Sequence, residues 1–468
     1  MKILRVIVVS FVLLALAGPF GNASAATLTA LWPFTGGTDG ANPEPTLVQG
    51  SDSNFYGTTS SGSTHGYGTV FRLTPGGVLT NLHVFGGTND GGAPVAGLIF
   101  GVDSNLYGTT SAGASNDLGG VFKMTTAGTF TSLWQFGGGA DGGDPQGGVI
   151  QWVDGNFYGT TSMGGSNHVG TVFSITSSGS LTTLWQFSGF SDGSEPGAGL
   201  VQGIDSNFYG TTSAGGSNSS FGTIFKITSS GTLTTLHRFT GATTDGAYPS
   251  ANLLQASDTN FYGTAFAGGL TGNGVVFKIT PGGTYTNVYR FTGGADGSNP
   301  EAPVIQGPDG NFYGTTNDGG TNELGNVFKL TPTGTVTPLW QFSGGADGEF
   351  PDAGLLLASD GNFYGTTYYG GTGANGVVFK LVAPITINNS NTLTQITAIQ
   401  VVGTNIVITL PSLSGETYQL QTSALMSPTN WSNVVGAVVP GTGSPVMLTN
   451  VGGALLIPQN FYRVDIFP

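Results

Sequence analysis

Seven aspartates, Asp39, Asp90, Asp141, Asp192, Asp245, Asp296 and Asp347, each open the phrase Asp-Gly-x-x-Pro. Carboxylates are hard oxygen donors, and calcium is the cation such a set could take, with Asp39, Asp141, Asp192, Asp296 and Asp347 as candidate ligands. No loop shows the dense Asp-x-Asp-x-Asp spacing of a dedicated calcium site. The plainer reading has each carboxylate accepting backbone N–H bonds inside its own turn, and no cofactor beyond that calcium is expected. Nucleophilic chemistry has little to work with. The chain has no cysteine and only four histidines, His65, His83, His168 and His237. No Gly-x-Ser-x-Gly elbow, His-Glu-x-x-His helix or phosphate-cradling glycine loop occurs in a suitable context. An enzyme is not the preferred reading.

Contact residues are better sought in segments that differ between otherwise similar stretches. These read SSGSTHGYG, SMGGSNHVG, NDGGTNELG and YYGGTGANG, which makes His65, Tyr67, Asn167, His168, Asn322, Glu323, Tyr368 and Tyr369 the candidates for ligand binding. Variable loops on a rigid scaffold are a common layout for recognition, although solvated loop tips would look the same.

The scaffold that carries them is a repeat. Asn-Phe-Tyr-Gly-Thr-Thr recurs with small lapses, its tyrosine falling at Tyr56, Tyr107, Tyr158, Tyr209, Tyr262, Tyr313 and Tyr364, in steps of 51, 51, 51, 53, 51 and 51 residues. A fixed period of this size signals a solenoid, propeller or array. Within the unit 139–190, residues 147–152, 156–162, 171–176 and 181–187 are β-branched or aromatic runs bounded by Gly, Ser, Asn and Asp turns, the mark of short strands. Four antiparallel strands repeated about an axis make a propeller blade. Residues 27–34 match a fourth strand with nothing before them, while the seventh repeat lacks its fourth strand. The expected fold is therefore all-β: a seven-bladed β-propeller over 26–383, closed by the N-terminal strand. A linker at 384–395 leads to a small β-sandwich over 396–468, with Trp431 in its core.

The unit GTVFxIT…LTxLWQFxGGADGxxPxxGLxQxxDGNFYGTT resembles the GloVer tandem repeat of exported bacterial proteins, over residues 27–382. That family is known by its repeat rather than by an activity. The pieces DGNFY at 309–313 and TPTG at 331–334 are similar to blades of the streptogramin lyases. That likeness implies a histidine and glutamates with magnesium in a central cavity, and no position here matches them. The pattern TYQLQTS…NWSNV…FYRV looks like C-terminal modules of exported proteins, which implies a role in attachment or sorting.

Lys2 and Arg5 ahead of an apolar run at 7–17, then Ala23-Ser24-Ala25, read as a signal peptide over 1–25. The run is too short to span a bilayer, so no membrane insertion is expected after cleavage. Of eleven basic residues, loss of Lys2 and Arg5 leaves nine against 25 acidic, a formal charge of −16. That balance disfavours nucleic acid as a partner. In a propeller, 16 of those acids fall on the face carrying the Asp-Gly loops and the variable loops. The expectation is an exported, extracellular or cell-surface monomer, non-enzymatic, that binds a glycan or protein on its acidic face. A propeller lyase or hydrolase using carboxylates and a divalent cation is one alternative, and a structural or adhesive surface protein is another.

Overall fold

The computed structural model describes residues 26–216 and 220–383, together with the strands Lys2–Val6, Ala398–Val402, Asn405–Leu410, Thr417–Ser423, Ser432–Pro440, Val446–Asn450 and Phe461–Phe467. The expected cleavage site at Ala25, the linker at 384–395 and Trp431 lie outside the described residues. One compact unit runs from Asn22 to Thr386, and a second joins Met1–Gly21 to Ile387–Pro468.

The first unit holds seven four-stranded antiparallel sheets. In the third blade these are Ile150–Gln151, Phe157–Thr161, Thr171–Ile175 and Leu181–Gln186. The innermost strand is shorter than the 147–152 run suggests. Only Ile150 and Gln151 pair, with Tyr158 and Phe157. The residues before them lie against the neighbouring blades, where a Cβ on Gly148 would sit 2.8 Å from the Gly97 carbonyl. Thr27–Pro33 pairs with Val377–Val382, placing Ala30 opposite Phe379 and Trp32 opposite Val378. The seventh blade thus takes its outer strand from the start of the chain, which covers the edge that Val377–Val382 would otherwise present.

Each residue of the repeated phrase has a structural task. At six of the seven seams the tyrosine ring packs on the phenylalanine of the next blade, as in Tyr107–Phe157 at 3.9 Å and, across the closing seam, Phe55–Tyr364 at 4.1 Å between centroids, while Tyr56 meets a blade that has Leu106 there. Such pairs contribute about 0.5–1.5 kcal/mol beyond their buried area. Glycine follows because Phe173 fills the space above it: a Cβ on Gly159 would lie 2.7 Å from Phe173 Cζ. The first threonine donates across to the next blade, Thr160 Oγ1 to the Ala198 carbonyl at 2.7 Å. The second pairs within its own blade, Thr161 with Thr171 at 2.9 Å. Seven clusters of buried side chains result, each shared by adjacent blades. The closing one gathers Phe34, Tyr364 and Val378 with Leu47, Phe55, Phe71 and Leu73.

In the second unit one sheet has the order Lys2–Val6, Phe461–Phe467, Thr417–Ser423, Ser432–Pro440, and the other contains Ala398–Val402, Asn405–Leu410 and Val446–Asn450. Ser432–Pro440 and Val446–Asn450 are strands that the sequence reading did not anticipate. The second of these is short and is flanked in the sequence by stretches containing Gly and Pro, which weakens its signal. Among the described residues no helix is long and apolar enough to cross a membrane.

Candidate functional site

The Asp-Gly ring is a fastening. Trp32 Nε1 donates to Asp39 at 3.3 Å, Trp134 to Asp141 at 3.3 Å, Trp185 to Asp192 at 3.2 Å and Trp340 to Asp347 at 3.1 Å. Tyr289 donates its hydroxyl to Asp296 at 2.9 Å, and His83 and His237 meet Asp90 and Asp245 at 3.1 Å. Each of these carboxylates also accepts a backbone N–H at the start of its loop, as from Gly137 to Asp141 at 2.7 Å. The five candidate calcium ligands therefore already hold donors, one loop to a blade. Among the described residues no group of three or more His, Cys, Asp or Glu could hold a metal ion. The sequence carried a signal for this pairing. Only Trp, His and Tyr occupy the position two before the repeat phenylalanine, and all three end in a polar hydrogen.

The opposite face is fastened in the same way. Each repeat tyrosine donates to the aspartate four residues earlier, as Tyr158 to Asp154 at 2.7 Å. Lys123–Asp103, Lys329–Asp309 and Lys380–Asp360 pair at 2.7, 2.9 and 2.8 Å. Burial pushes the Asp360 carboxyl up, but Lys380, Asn362 and Tyr364 together outweigh it and hold the group at about 2.

The variable-loop candidates divide. Asn167 and Asn322 donate to the Phe187 and Phe342 carbonyls at 3.0 and 2.8 Å, so they tie their loops down. His65 and His168 are exposed in the first and third blades and are not brought together. Tyr67 lies over the following connection, within 2.2 Å of where a Cβ on Gly87 would stand. Glu323 is exposed, with a φ of 59°, and its charge helps raise the Asp318 pKa after burial has done so. Tyr368 and Tyr369 meet edge to face at 4.4 Å.

Tyr368 points to the residues that matter most. In each Asp-Gly-x-x-Pro loop one residue follows the proline before a buried Ala, Gly or Pro, and in the first, sixth and seventh blades it is acidic: Glu44, Glu301 and Asp352. Two residues further on, Thr46, Pro303 and Gly354 meet at the axis, a Cβ on Gly354 falling 2.7 Å from Thr46 Oγ1 and 2.9 Å from Pro303. The three carboxyls therefore converge at one side of the axial mouth. Asn317 Nδ2 donates to Asp352 Oδ1 and lies 3.5 Å from Glu301 Oε2, bridging two blades. Ser60 donates to Glu44 Oε1 at 2.5 Å. Burial, then Glu301 and Glu44, push the Asp352 carboxyl up to about 8. Burial raises Glu44 against the Ser60 hydrogen bond, and burial with Asp318 raises Glu301. Burial and the Glu44 charge push the Tyr368 hydroxyl up to about 12. At neutral pH the cluster therefore mixes a protonated carboxyl, ionisable carboxylates, an amide and hydroxyls. A separate shallow surface dip lined by Asn89, Asp90, Thr110 and Gln135 lies in the second blade and gathers no such set.

The model of the Gloeobacter/Verrucomicrobia repeat matches residues 21–221 and 199–422. The chain belongs to the Gloeobacter/Verrucomicrobia repeat family. The match carries the expected GloVer repeat across all seven blades of this family member and past the end of its propeller. No curated protein matches it. Among solved structures, it is similar to an extracellular domain of a B. thetaiotaomicron protein described as a hybrid two component system, at 11% identity over 95% of this chain and 55% of that one, with a TM-score of 0.50. A second such domain from the same organism is 12% identical over 92% and 59%, also at 0.50. A periplasmic gluconolactonase of Pseudomonas aeruginosa is 14% identical over 71% and 99%, at 0.43. The repeat protein spans a little over half the length of the two extracellular domains, and these likenesses concern the fold.

Proposed function

We propose that this Gloeobacter/Verrucomicrobia repeat protein is an exported binding protein that takes a hydroxyl-rich ligand, a glycan, at the axial mouth beside Glu44, Glu301 and Asp352. The convergence of these groups with Asn317, Ser60 and Tyr368 carries the reading. A sugar hydroxyl both donates and accepts, and such a cluster answers with both. The C-terminal unit would hold the protein at the cell surface. A glycan array on the purified protein, followed by titration of any hit into Glu301→Gln and Asp352→Ala, tests the assignment. Binding should weaken about tenfold or more in each variant, the loss expected when a buried hydrogen-bond partner is removed. Equal affinity in the wild type and both variants would move the ligand elsewhere.

A hydrolase reading draws on one observation: Asp352 holds its proton near neutrality beside Glu301, an arrangement suited to general acid and base work. In that case Asp352→Asn should abolish turnover of a bound glycan while leaving its affinity within a few fold.

A further inference from the structure

We propose that loss of residues 1–25 opens the Phe461–Phe467 edge of the C-terminal unit, and that a second copy of this chain fills it, strand to strand, antiparallel about Val464. The inference takes the signal cleavage expected after Ala25 and is independent of the glycan reading.

Phe461–Phe467 has Thr417–Ser423 on one side and Lys2–Val6 on the other, so without the N-terminal segment it is the edge of its sheet. An open edge presents unpaired N–H and C=O groups in register for another strand. The pairing with Thr417–Ser423 sorts the edge strand into two faces. Tyr462, Val464 and Ile466 stand opposite Thr422, Leu420 and Tyr418, while Arg463 and Asp465 stand opposite Gln421 and Gln419. The first face is largely apolar, and the second carries the charged pair Arg463 and Asp465 between Phe461 and Phe467.

Lys2–Val6 occupies that edge in a poor match. Its register puts Arg5 opposite Arg463, Ile3 opposite Asp465 and Lys2 opposite Ile466. Like charges directly opposite are destabilising, and a lysine is set on the apolar face. The sequence Phe-Tyr-Arg-Val-Asp-Ile-Phe at 461–467 is, in contrast, nearly its own complement. Reversed upon itself about Val464, it sets Arg463 opposite Asp465 twice, Tyr462 opposite Ile466 and Phe461 opposite Phe467. Opposite charges meet on one face, flanked by the two Phe461–Phe467 pairs, and Tyr462, Val464 and Ile466 meet their counterparts on the other, which is the self-complementarity a two-fold interface requires. The N-terminal segment thus caps the edge in the unprocessed chain, and its removal exchanges a mismatched strand for a matched one.

The test is the mass in solution of the exported chain, by light scattering over a dilution series, with its N-terminus read by mass spectrometry. A chain starting at residue 26 should form dimers, and the unprocessed 1–468 chain should remain a monomer. Arg463→Asp and Asp465→Arg each replace two attractive pairs by two repulsive ones. Each should weaken the dimer about tenfold or more. The combined Arg463→Asp/Asp465→Arg chain restores complementarity and should dimerise like the wild type. Circular dichroism on every variant separates loss of pairing from loss of fold. A folded monomer at every concentration overturns the proposal. So does a dimer insensitive to both single changes, or one that the combined change fails to restore.

Discussion

Asp352 keeps its proton up to about pH 8 in the folded protein, because burial and the charges of Glu301 and Glu44 oppose ionisation, against an ordinary value of 3.8. Between those two values the native state binds more protons than the unfolded one, so this group's contribution to stability falls as pH rises and is lost above about pH 8. Asp352→Asn keeps an acceptor for Asn317 and cannot ionise. Its melting temperature should match the wild type near about pH 4 and exceed it near about pH 9, by an amount equivalent to a few kcal/mol. Parallel pH profiles for the two proteins would show that the carboxyl is not so confined. The three acids were visible in the sequence as part of an acidic face, but their meeting was not. Glu44 is far from Glu301 and Asp352 along the chain, and becomes their neighbour only once the first and seventh blades are side by side. Aligning the repeats in a circle would have exposed it, since the residue after the proline is acidic in those adjoining blades and is Val95, Gln146, Gly197 and Ser250 in the others.

At the scale of the strand, the repeated phrase predicted both the element and its place, because its alternation and its turn residues are local signals. The outer strand held a detail that alternation does not reveal. In every blade its register slips by one residue, as between Val172 and Phe173 opposite Trp185 and Thr183, which leaves Leu184 as a bulge. That leucine packs into the cluster shared with the next blade. A bulge re-aims side chains at the cost of one ladder position, and nothing in a Leu-Trp dipeptide distinguishes it from plain pairing. The glycine of the phrase offers a sharper test of how tightly strands are fitted. Gly159→Ala should destabilise by about 1–3 kcal/mol through overpacking against Phe173. Gly155, in the turn, has a φ of 83° and open space around it. Gly155→Ala should cost only about 1 kcal/mol, from the backbone conformation alone. Urea titrations of the two variants compare them directly, and a Gly159→Ala protein no weaker than Gly155→Ala would mean the aromatic ring gives way freely.

For the propeller as a whole, the orphan strand at the start and the vacancy at the end were both legible, since a repeat shows what is missing from it. Closure is also where the stability of the ring is most exposed to test. Removing residues 26–34 takes away the pairing along Val377–Val382 and withdraws Phe34, Leu31 and Trp32 from the closing cluster. Full burial of a side chain such as Phe34 contributes about 1.5–3 kcal/mol and the half-buried Leu31 and Trp32 add to it, so the truncated chain should melt well below the wild type. It should also self-associate, because Val377–Val382 would become an unprotected edge. Sequence loss and pairing loss are separated by a transplant. Inserting residues 26–34 after residue 383, behind a hairpin turn like that at 176–180, supplies the same strand from the other side of the seam. The transplanted chain should recover most of the melting temperature and return to the elution volume of the intact protein. Failure of the transplant with retention of fold in the truncated form would mean that the seventh blade stands without its fourth strand. The ring would then owe its stability to the seams between the other blades, and the acids of the first and seventh blades would no longer be bound to meet.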